Sequence, residues 1–344
     1  MVGLLFASFS LAQLLFSPLW GRLSDRVGRK PLILLSLVGT ALGSLATGLA
    51  SSLPLLFLGR VVDGVSGASV SVAQAAVADV APARERARLF GLLGAAFGVG
   101  FVAGPALGAL AALASPRLPF LLAAALAGAN ALIAARRLPE TRWAQTATEA
   151  ETDDVPPTEA VVPARSTVLV RLLAVAFTSL VAFSAFEATF GLFGERRLHL
   201  RLASTGAVFT AVGLALALVQ SSLVRPAVRR LGEGATVRLG LLANAGGLVL
   251  LASVHSWWPL VPALAALVVG QGLVTPSLTS LVAGGAHSGR RGGALGLQQS
   301  AGGLARVVGP AAGGLAFERL GAPSPYLAGA VLMVLCALAI SGRV

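Results

Sequence analysis

The chain has 344 residues, of which 56% are hydrophobic and only 12% are charged, and its mean hydropathy is +0.84. A soluble domain carries about 25% charged residues, so this composition excludes a water-soluble globular protein. The net charge of +12 would suggest nucleic acid as the partner of a soluble chain. Here the basic residues lie between apolar runs, which favours loops beside anionic lipid and no nucleic acid.

Apolar runs bounded by charged residues, glycine or proline predict an all-α polytopic membrane protein with eleven transmembrane helices. The predicted spans are 2–20, 32–50, 54–79, 89–113, 119–137, 168–192, 203–224, 236–254, 258–283, 294–317 and 324–342. Most of the 26 Lys and Arg residues then fall on one side of the membrane, which the positive-inside rule assigns to the cytoplasm.

Two features recur at a nearly constant spacing. The segment Gly104-Pro105-Ala-Leu-Gly108 returns 205 residues later as Gly309-Pro310-Ala-Ala-Gly313, and the basic turn ending at Gly28 returns 204 residues later at Gly232. Such a spacing indicates internal duplication.

Projected at this spacing, the run at 168–192 has no counterpart in the first half of the chain. We therefore expect two pseudo-twofold-related helical bundles on a twelve-helix plan that lacks its first helix. The expected parts are an N-terminal half-bundle of five helices at 1–137, an acidic, proline-containing cytoplasmic linker at 138–167, and a C-terminal six-helix half-bundle at 168–344.

The segment from Gly21 to Pro31 reads Gly-Arg-Leu-Ser-Asp-Arg-Val-Gly-Arg-Lys-Pro. It lies between the first two predicted spans and resembles the signature loop of the major facilitator superfamily. Arg60 with Gly64 and Gly67 resembles the fourth-helix motif of that superfamily.

Further motifs narrow the resemblance to one group of the superfamily. The run containing Gly100, Gly104, Pro105 and Gly108 resembles the fifth-helix motif of its drug/proton antiporters, and the segments 78–82 and 138–141 resemble the tetracycline-efflux group. The resemblance implies a secondary transporter that exports a small apolar or amphipathic compound against a proton gradient. It would work by exchange of access sides between two halves.

The resemblance also implies that the 21–31 segment is a latch between helices that stabilises one access state. The latch residues would be Gly21, Asp25, Arg26, Gly28, Arg29 and Lys30, with Asp79 as a partner for the basic groups. Independently of the family, Asp25 is expected near the amino end of a helix beginning at Pro31, where negative charge is favoured. The alternative is that the segment only anchors the topology.

Charged and polar residues within the spans are candidates for proton coupling or for lining the substrate cavity, because a charge in the bilayer needs a reason to be there. Arg60 and Asp63 lie on one helix face and form either a structural ion pair or part of the coupling site. Glu187 has no charged neighbour within its span, and burial that disfavours its charged form would suit a group that binds and releases protons. Its alternative is a position near the outer mouth that contacts water.

The tenth predicted span carries the remaining polar candidates, Gln298, Gln299 and Arg306. Gln299 and Arg306 share a helix face, although Arg306 has the alternative of pairing with a carboxylate. Glycine and proline residues predict helix kinks and close packing; they are Gly100, Gly104, Pro105, Gly108, Gly309 and Pro310.

No cluster of metal ligands, catalytic nucleophile or phosphate-binding loop stands out in the sequence, so we expect neither an enzyme nor a cofactor. The expected partners are a small-molecule substrate, protons and the lipid bilayer, for a monomer in a bacterial inner membrane. The alternatives are an importer or uniporter of a small metabolite or sugar, and a truncated membrane protein that does not transport.

Overall fold

A computed structural model describes residues 2–67, 70–141, 163–200, 202–286 and 290–340. Within these ranges the chain is helical and has no strand, which confirms the predicted all-α class. The helices are α1 (Val2–Val27), α2 (Arg29–Gly48), α3 (Leu53–Ser66), α4 (Val70–Val80), α5 (Ala83–Ala114), α6 (Leu118–Arg137), α7 (Pro163–Leu198), α8 (Leu202–Ser222), α9 (Val224–Leu231), α10 (Glu233–Ala252), α11 (Trp257–Gly285), α12 (Arg291–Leu320) and α13 (Ser324–Ala339).

Seven helical segments of the described residues are long and apolar enough to cross a bilayer. They are α2, the segment Leu53–Val80 that contains α3 and α4, α6, α7 from Thr167, α8 from Ser204, α10 and α11; α13 is a shorter apolar helix. The polytopic membrane class is thus confirmed, and the number of eleven spans stays a prediction.

The 21–31 segment is more helical than the sequence indicated. Helix α1 continues to Val27, and α2 begins at Arg29, two residues before Pro31. The break is confined to Gly28, whose φ of 116° is a conformation that only glycine adopts without strain. A single residue, Gly28, therefore connects the two helices where a loop was expected.

Other boundaries also differ from the prediction. The span 203–224 ends at Ser222, and the short helix α9 follows it. Apolar runs did not reveal α9, because three of its eight residues are arginine. Most of the predicted linker, 142–162, lies outside the described residues, and α7 begins within its last part, at Pro163.

Helices α2 and α10 show how closely the repeat is kept in the backbone. Each has 20 residues, and their first residues, Arg29 and Glu233, are 204 positions apart. Each also follows a glycine with positive φ, Gly28 at 116° and Gly232 at 81°. The duplication inferred from sequence therefore has a counterpart in local geometry.

The same spacing applies to helix packing. A Cβ atom on Gly43 of α2 would lie 2.9 Å from the carbonyl oxygen of Gly59 in α3. A Cβ atom on Gly247 of α10 would lie 2.9 Å from the carbonyl oxygen of Ala263 in α11. In both places a glycine lets two helix backbones approach closely, which is a common way of packing helices in a bilayer.

The chain forms two compact units, each with its own internal packing. Unit 1 comprises Met1–Ala81, Ala103–Pro163 and Ala286–Gly303, and unit 2 comprises Pro82–Val102, Ala164–Gly285 and Leu304–Val344. The long helices α5 and α12 contribute to both units, so the units take residues from both halves of the sequence. The half-bundle boundaries at 1–137 and 168–344 stay a prediction about the repeat.

An aromatic cluster on α7 forms part of the core of unit 2. Phe186 and Phe190 are almost completely buried, and the Phe193 ring packs edge-on against the Tyr326 ring of α13. Thr189 donates a hydrogen bond to the backbone and lies 3.3 Å from the Tyr326 hydroxyl. This buried face fixes the rotation of α7 and turns Glu187 to an exposed position.

Candidate functional site

The guanidinium of Arg29 is the centre of a buried charge cluster in unit 1. Its Nε donates a 2.8 Å hydrogen bond to Asp79, and its Nη1 donates to Asp25 at 2.8 Å and to Ser24 at 2.6 Å. The arginine is only 2% exposed. A buried cation needs countercharges and hydrogen bonds to offset its lost hydration, and two carboxylates supply them.

The carboxylate of Asp25 also binds the start of α12. Its two carboxylate oxygens accept hydrogen bonds from the backbone N–H groups of Gly292 at 2.9 Å and Gly293 at 2.8 Å. The first N–H groups of a helix have no partner within the helix, and a negative charge there also interacts well with the helix dipole. Asp25 thus joins the 21–31 segment to the amino end of α12.

Arg291 completes the cluster. Its Nη1 lies 3.6 Å from the second carboxylate oxygen of Asp79 and donates a hydrogen bond to the Ala78 carbonyl oxygen. Asp79 therefore lies between Arg29 and Arg291, and the four side chains form a balanced chain of alternating charge. We call Asp25, Arg29, Asp79 and Arg291 the buried latch.

Asp25 lies near the amino end of α2, as expected, but there it binds the side chain of Arg29 and not the backbone N–H groups of the helix. Helix α2 is capped instead by Glu140, whose carboxylate accepts hydrogen bonds from the backbone N–H groups of Arg29 at 2.9 Å and Lys30 at 3.1 Å. The reason is geometric: Asp25 is part of α1 and points to α12. Glu140 belongs to the 138–141 segment, for which the sequence indicates only a resemblance to the tetracycline-efflux group.

The structure also distinguishes among the other predicted latch residues. Gly21 is buried against Gly292, where a Cβ atom would lie 2.1 Å from the carbonyl oxygen. Gly28 allows the turn described above. Arg26 is exposed and Lys30 is half-buried, so neither takes the central position of Arg29.

Within the spans, Arg60 and Asp63 form a salt bridge on one face of α3. The Arg60 Nη2 lies 2.8 Å from the Asp63 carboxylate, and both side chains are partly exposed. The sequence spacing predicted the pair, and its part in coupling stays a prediction.

Unit 2 brings together two candidates that the sequence treated separately. The charge of Arg306 on α12 acts on the carboxylate of Glu187 on α7, and both side chains are exposed. The two helices are held close by small residues, because a Cβ atom on Gly309 would lie 2.6 Å from the Val181 carbonyl oxygen. Glu187 therefore has a charged neighbour after all, on another helix.

The remaining polar and kink candidates lie on α5 and α12. Gln298 and Gln299 are half-buried in the part of α12 that belongs to unit 1. Both Pro105 and Pro310 lie inside helices that continue through them. Whether these prolines take part in a shape change stays a prediction.

A second ion cluster, in unit 2, was missed by the sequence analysis. Glu85 at the start of α5 lies 3.0 Å from Arg225 and 3.2 Å from Arg229, both on α9, and 3.2 Å from Arg88. Although partial desolvation acts in the opposite direction, the hydrogen bonds from Arg225 and Arg88 hold the pKa of Glu85 below its ordinary value. The repeat was the signal that could have pointed to this cluster. At the spacing of 204 residues, Arg229 stands at the position equivalent to Asp25, so a charged contact could have been expected there as well.

The described part of the chain thus forms a helical, polytopic membrane protein with a buried ionic latch and with charges inside its spans. The sequence model of the family described as Major Facilitator Superfamily matches residues 1–283 and 224–342 of the chain. The chain belongs to this superfamily, whose members are membrane transporters.

Curated relatives are bacterial resistance proteins. The chain is 34% identical to the class E tetracycline resistance protein of Escherichia coli, over 90% of this chain and 76% of that protein. It is 33% identical to the class G tetracycline resistance protein of Vibrio anguillarum, over 97% of this chain and 86% of that protein. It is 30% identical to multidrug resistance protein 2 of Bacillus subtilis (strain 168), over 97% and 84%.

A solved structure has the same fold. The human organic anion transporter MFSD10 (TETRAN) matches with a TM-score of 0.83 and 28% identity, over 98% of this chain and 83% of that chain. The predicted resemblance to the superfamily and to its tetracycline-efflux group is confirmed by these relatives.

Proposed function

We propose that this transporter exports a small amphipathic compound in exchange for protons, by alternating access. The observation that carries the proposal is that Glu187, in the apolar segment Thr167–Leu198, lies near enough to Arg306 of α12 for the two charges to interact, although the two side chains are beyond salt-bridge distance. An exposed carboxylate near a positive charge can either bind a proton or stay ionised beside the arginine. Names of the relatives support the substrate class, because they are resistance proteins for tetracycline or for several drugs.

In this mechanism a proton on Glu187 removes the attraction to Arg306 and changes the charge of the space into which both side chains are exposed. Coupling arises only if the protonated and unprotonated forms favour different access states. The Arg60–Asp63 salt bridge in unit 1 is the alternative coupling site, since it is also partly exposed within a span.

The buried latch supplies the second requirement of alternating access, a contact that stabilises one state and is broken in the other. Its three ion pairs are almost excluded from water. Such pairs contribute only when every partner is in place, because a single buried charge without its partner is strongly unfavourable. We infer that the latch is either fully formed or fully released, which makes it suitable for a switch between two states.

We also propose that the protein is a monomer and that it lies in the inner membrane of a bacterium. The bacterial relatives favour this location.

The test uses inside-out membrane vesicles containing the full chain, with tetracycline and ethidium as the probe substrates. With an imposed proton gradient we expect uptake into the vesicles that a protonophore abolishes. Glu187→Gln should lose this gradient-driven uptake and retain exchange of labelled for unlabelled substrate, because a neutral side chain mimics the protonated carboxylate.

The matched control is Glu195→Gln, which removes the same charge from an exposed position at the end of the same helix. It should behave like the wild type. Gradient-driven uptake by Glu187→Gln with unchanged pH dependence would contradict the role of this carboxylate. Transport of both probes that no gradient affects would contradict proton coupling itself.

A further inference from the structure

Helix α9 has two faces with different surroundings, and the Glu85 cluster occupies only one of them. Arg225 and Arg229 are four residues apart, lie on one face of the helix and bind Glu85. The opposite side of the helix lines a groove in unit 2. The groove is formed by Leu223, Pro226, Ala227, Arg230, Leu231 and Leu273.

Leu223, which directly precedes α9, and the four groove residues of the helix stand at positions i, i+3, i+4, i+7 and i+8, which places them on a single helix face. Apart from Arg230, the side chains that line the groove are apolar, and Leu223 and Leu231 are exposed. Its volume is about 390 Å³, and it is a shallow hollow that is open on one side, so it would hold part of a ligand without enclosing it. It is therefore an apolar site with one charged residue.

That charged residue is available to a ligand. Arg230 is exposed, and among the described residues no carboxylate lies within salt-bridge distance of its guanidinium, whereas Glu85 engages its neighbours Arg225 and Arg229. Helix α9 lies at the chain turn that the positive-inside rule assigns to the cytoplasm. The groove thus combines apolar side chains with a cation at the end of a predicted span, where we expect a membrane to change from acyl chains to headgroups.

We propose that this groove binds an anionic phospholipid, with part of an acyl chain against Leu223, Leu231 and Leu273 and the headgroup phosphate on Arg230. An apolar groove alone would accept any lipid, and an arginine alone would accept any anion. Both features together select a molecule that has a long apolar part and a negative end. Basic pockets between helices on the cytoplasmic side are suited to acidic headgroups.

The test uses the purified full chain, freed of bound lipid in a neutral detergent, and counts lipid adducts by native mass spectrometry. The probes are dioleoyl phosphatidylglycerol, dioleoyl phosphatidylcholine, and glycerol phosphate as the headgroup without chains. We expect one phosphatidylglycerol to bind in preference to phosphatidylcholine. Arg230→Gln should reduce that preference about fivefold, which is the contribution of one arginine near an acidic lipid surface.

Two further variants separate the groove from general charge. Leu231→Gln, at an exposed position, should weaken binding of phosphatidylglycerol without removing any charge. Arg136→Gln removes the same charge from an exposed arginine of α6, in unit 1, and should leave the preference unchanged.

The proposal is overturned if Arg230→Gln and Arg136→Gln have the same effect, or if phosphatidylcholine binds as tightly as phosphatidylglycerol. It is also overturned if glycerol phosphate displaces the lipid at equal concentration, because the site would then recognise an anion alone. Melting temperatures of all variants in detergent check that each is folded.

Discussion

The carboxylate of Asp25 accepts a 2.9 Å hydrogen bond from the backbone N–H of Gly292, which is 267 residues further along the chain. This contact joins the end of α1 to the start of α12 within unit 1. The contact requires a carboxylate at position 25 and a residue without a side chain at position 292, because a Cβ atom at 292 would collide with its neighbours. The first prediction follows from that requirement.

Gly292→Ala should release the buried latch. A Cβ atom at this position would lie 2.4 Å from the Gly21 carbonyl oxygen and 2.7 Å from both Asp25 and Arg29. Overpacking of this kind costs about 1–3 kcal/mol. We expect a lower melting temperature in detergent, together with faster labelling of a cysteine placed at Ser24.

The matched control is Gly293→Ala, one residue further on. Its Cβ atom would come no closer than 3.3 Å to the flexible side chain of Arg22, and the N–H that binds Asp25 is kept. Its melting temperature should stay close to that of the wild type. Equal effects of the two substitutions would show that the contact with Asp25 is unimportant.

The repeated Gly-Pro segments should respond differently to the same substitution. Gly309→Ala would bring a Cβ atom to 2.6 Å from the Val181 carbonyl oxygen, whereas no described atom lies within 4 Å of the equivalent position at Gly104. We expect Gly309→Ala to destabilise the protein by about 1–3 kcal/mol. Gly104→Ala should be neutral or stabilise the helix by roughly 0.5–1 kcal/mol. Thermal unfolding of both variants tests this difference, and a larger loss at Gly104 would contradict it.

Glu187 and Arg306 should be energetically coupled. Arg306→Gln removes the positive charge that acts on the Glu187 carboxylate in the spanning part of α7, so the single substitution should destabilise the protein more than Glu187→Gln does. The double variant Glu187→Gln/Arg306→Gln should recover part of the loss, with a coupling energy of about 0.5–3 kcal/mol. A double-mutant cycle on unfolding in detergent measures this energy, and strict additivity would show that the charges do not interact.

The Glu85 cluster should make stability depend on pH and salt. Because its arginine neighbours hold the pKa of Glu85 below its ordinary value, its stabilising effect is fully present above the unfolded pKa of about 4.3. That effect disappears as the pH falls through the lower folded value. We expect the melting temperatures of wild type and Glu85→Gln to differ at pH 7 and to converge below pH 4.

High salt should reduce the same difference at pH 7, because the cluster is partly exposed to solvent. Glu318→Gln, at an exposed position outside any described salt bridge, should give no such gap at either pH. A gap for Glu85→Gln that persists in acid would contradict the ion-pair assignment.

The pattern of local residues was sufficient to predict most of the architecture. A spanning helix satisfies its backbone hydrogen bonds within its own segment, so about 20 consecutive apolar residues are enough to indicate it. The turns before α2 and α10 could also be predicted from Gly28 and Gly232, because backbone with positive φ favours glycine. Even the Arg60–Asp63 pair could be derived, since it depends only on helical spacing.

Partners that come from distant parts of the chain could not be derived in this way. Nothing near Asp25 indicates that its carboxylate binds α12, nor that Glu140 rather than Asp25 caps α2. Glu187 likewise lacked a charged neighbour in its own span and acquired Arg306 from another helix.

The sequence by itself therefore determined the class of protein and the repeated helices, because each depends on short-range backbone bonding and on transfer between water and lipid. Only the tertiary structure decided which charges neutralise one another. That choice depends on the rotation of each helix about its axis, which is set by small residues and buried rings that pack against other helices.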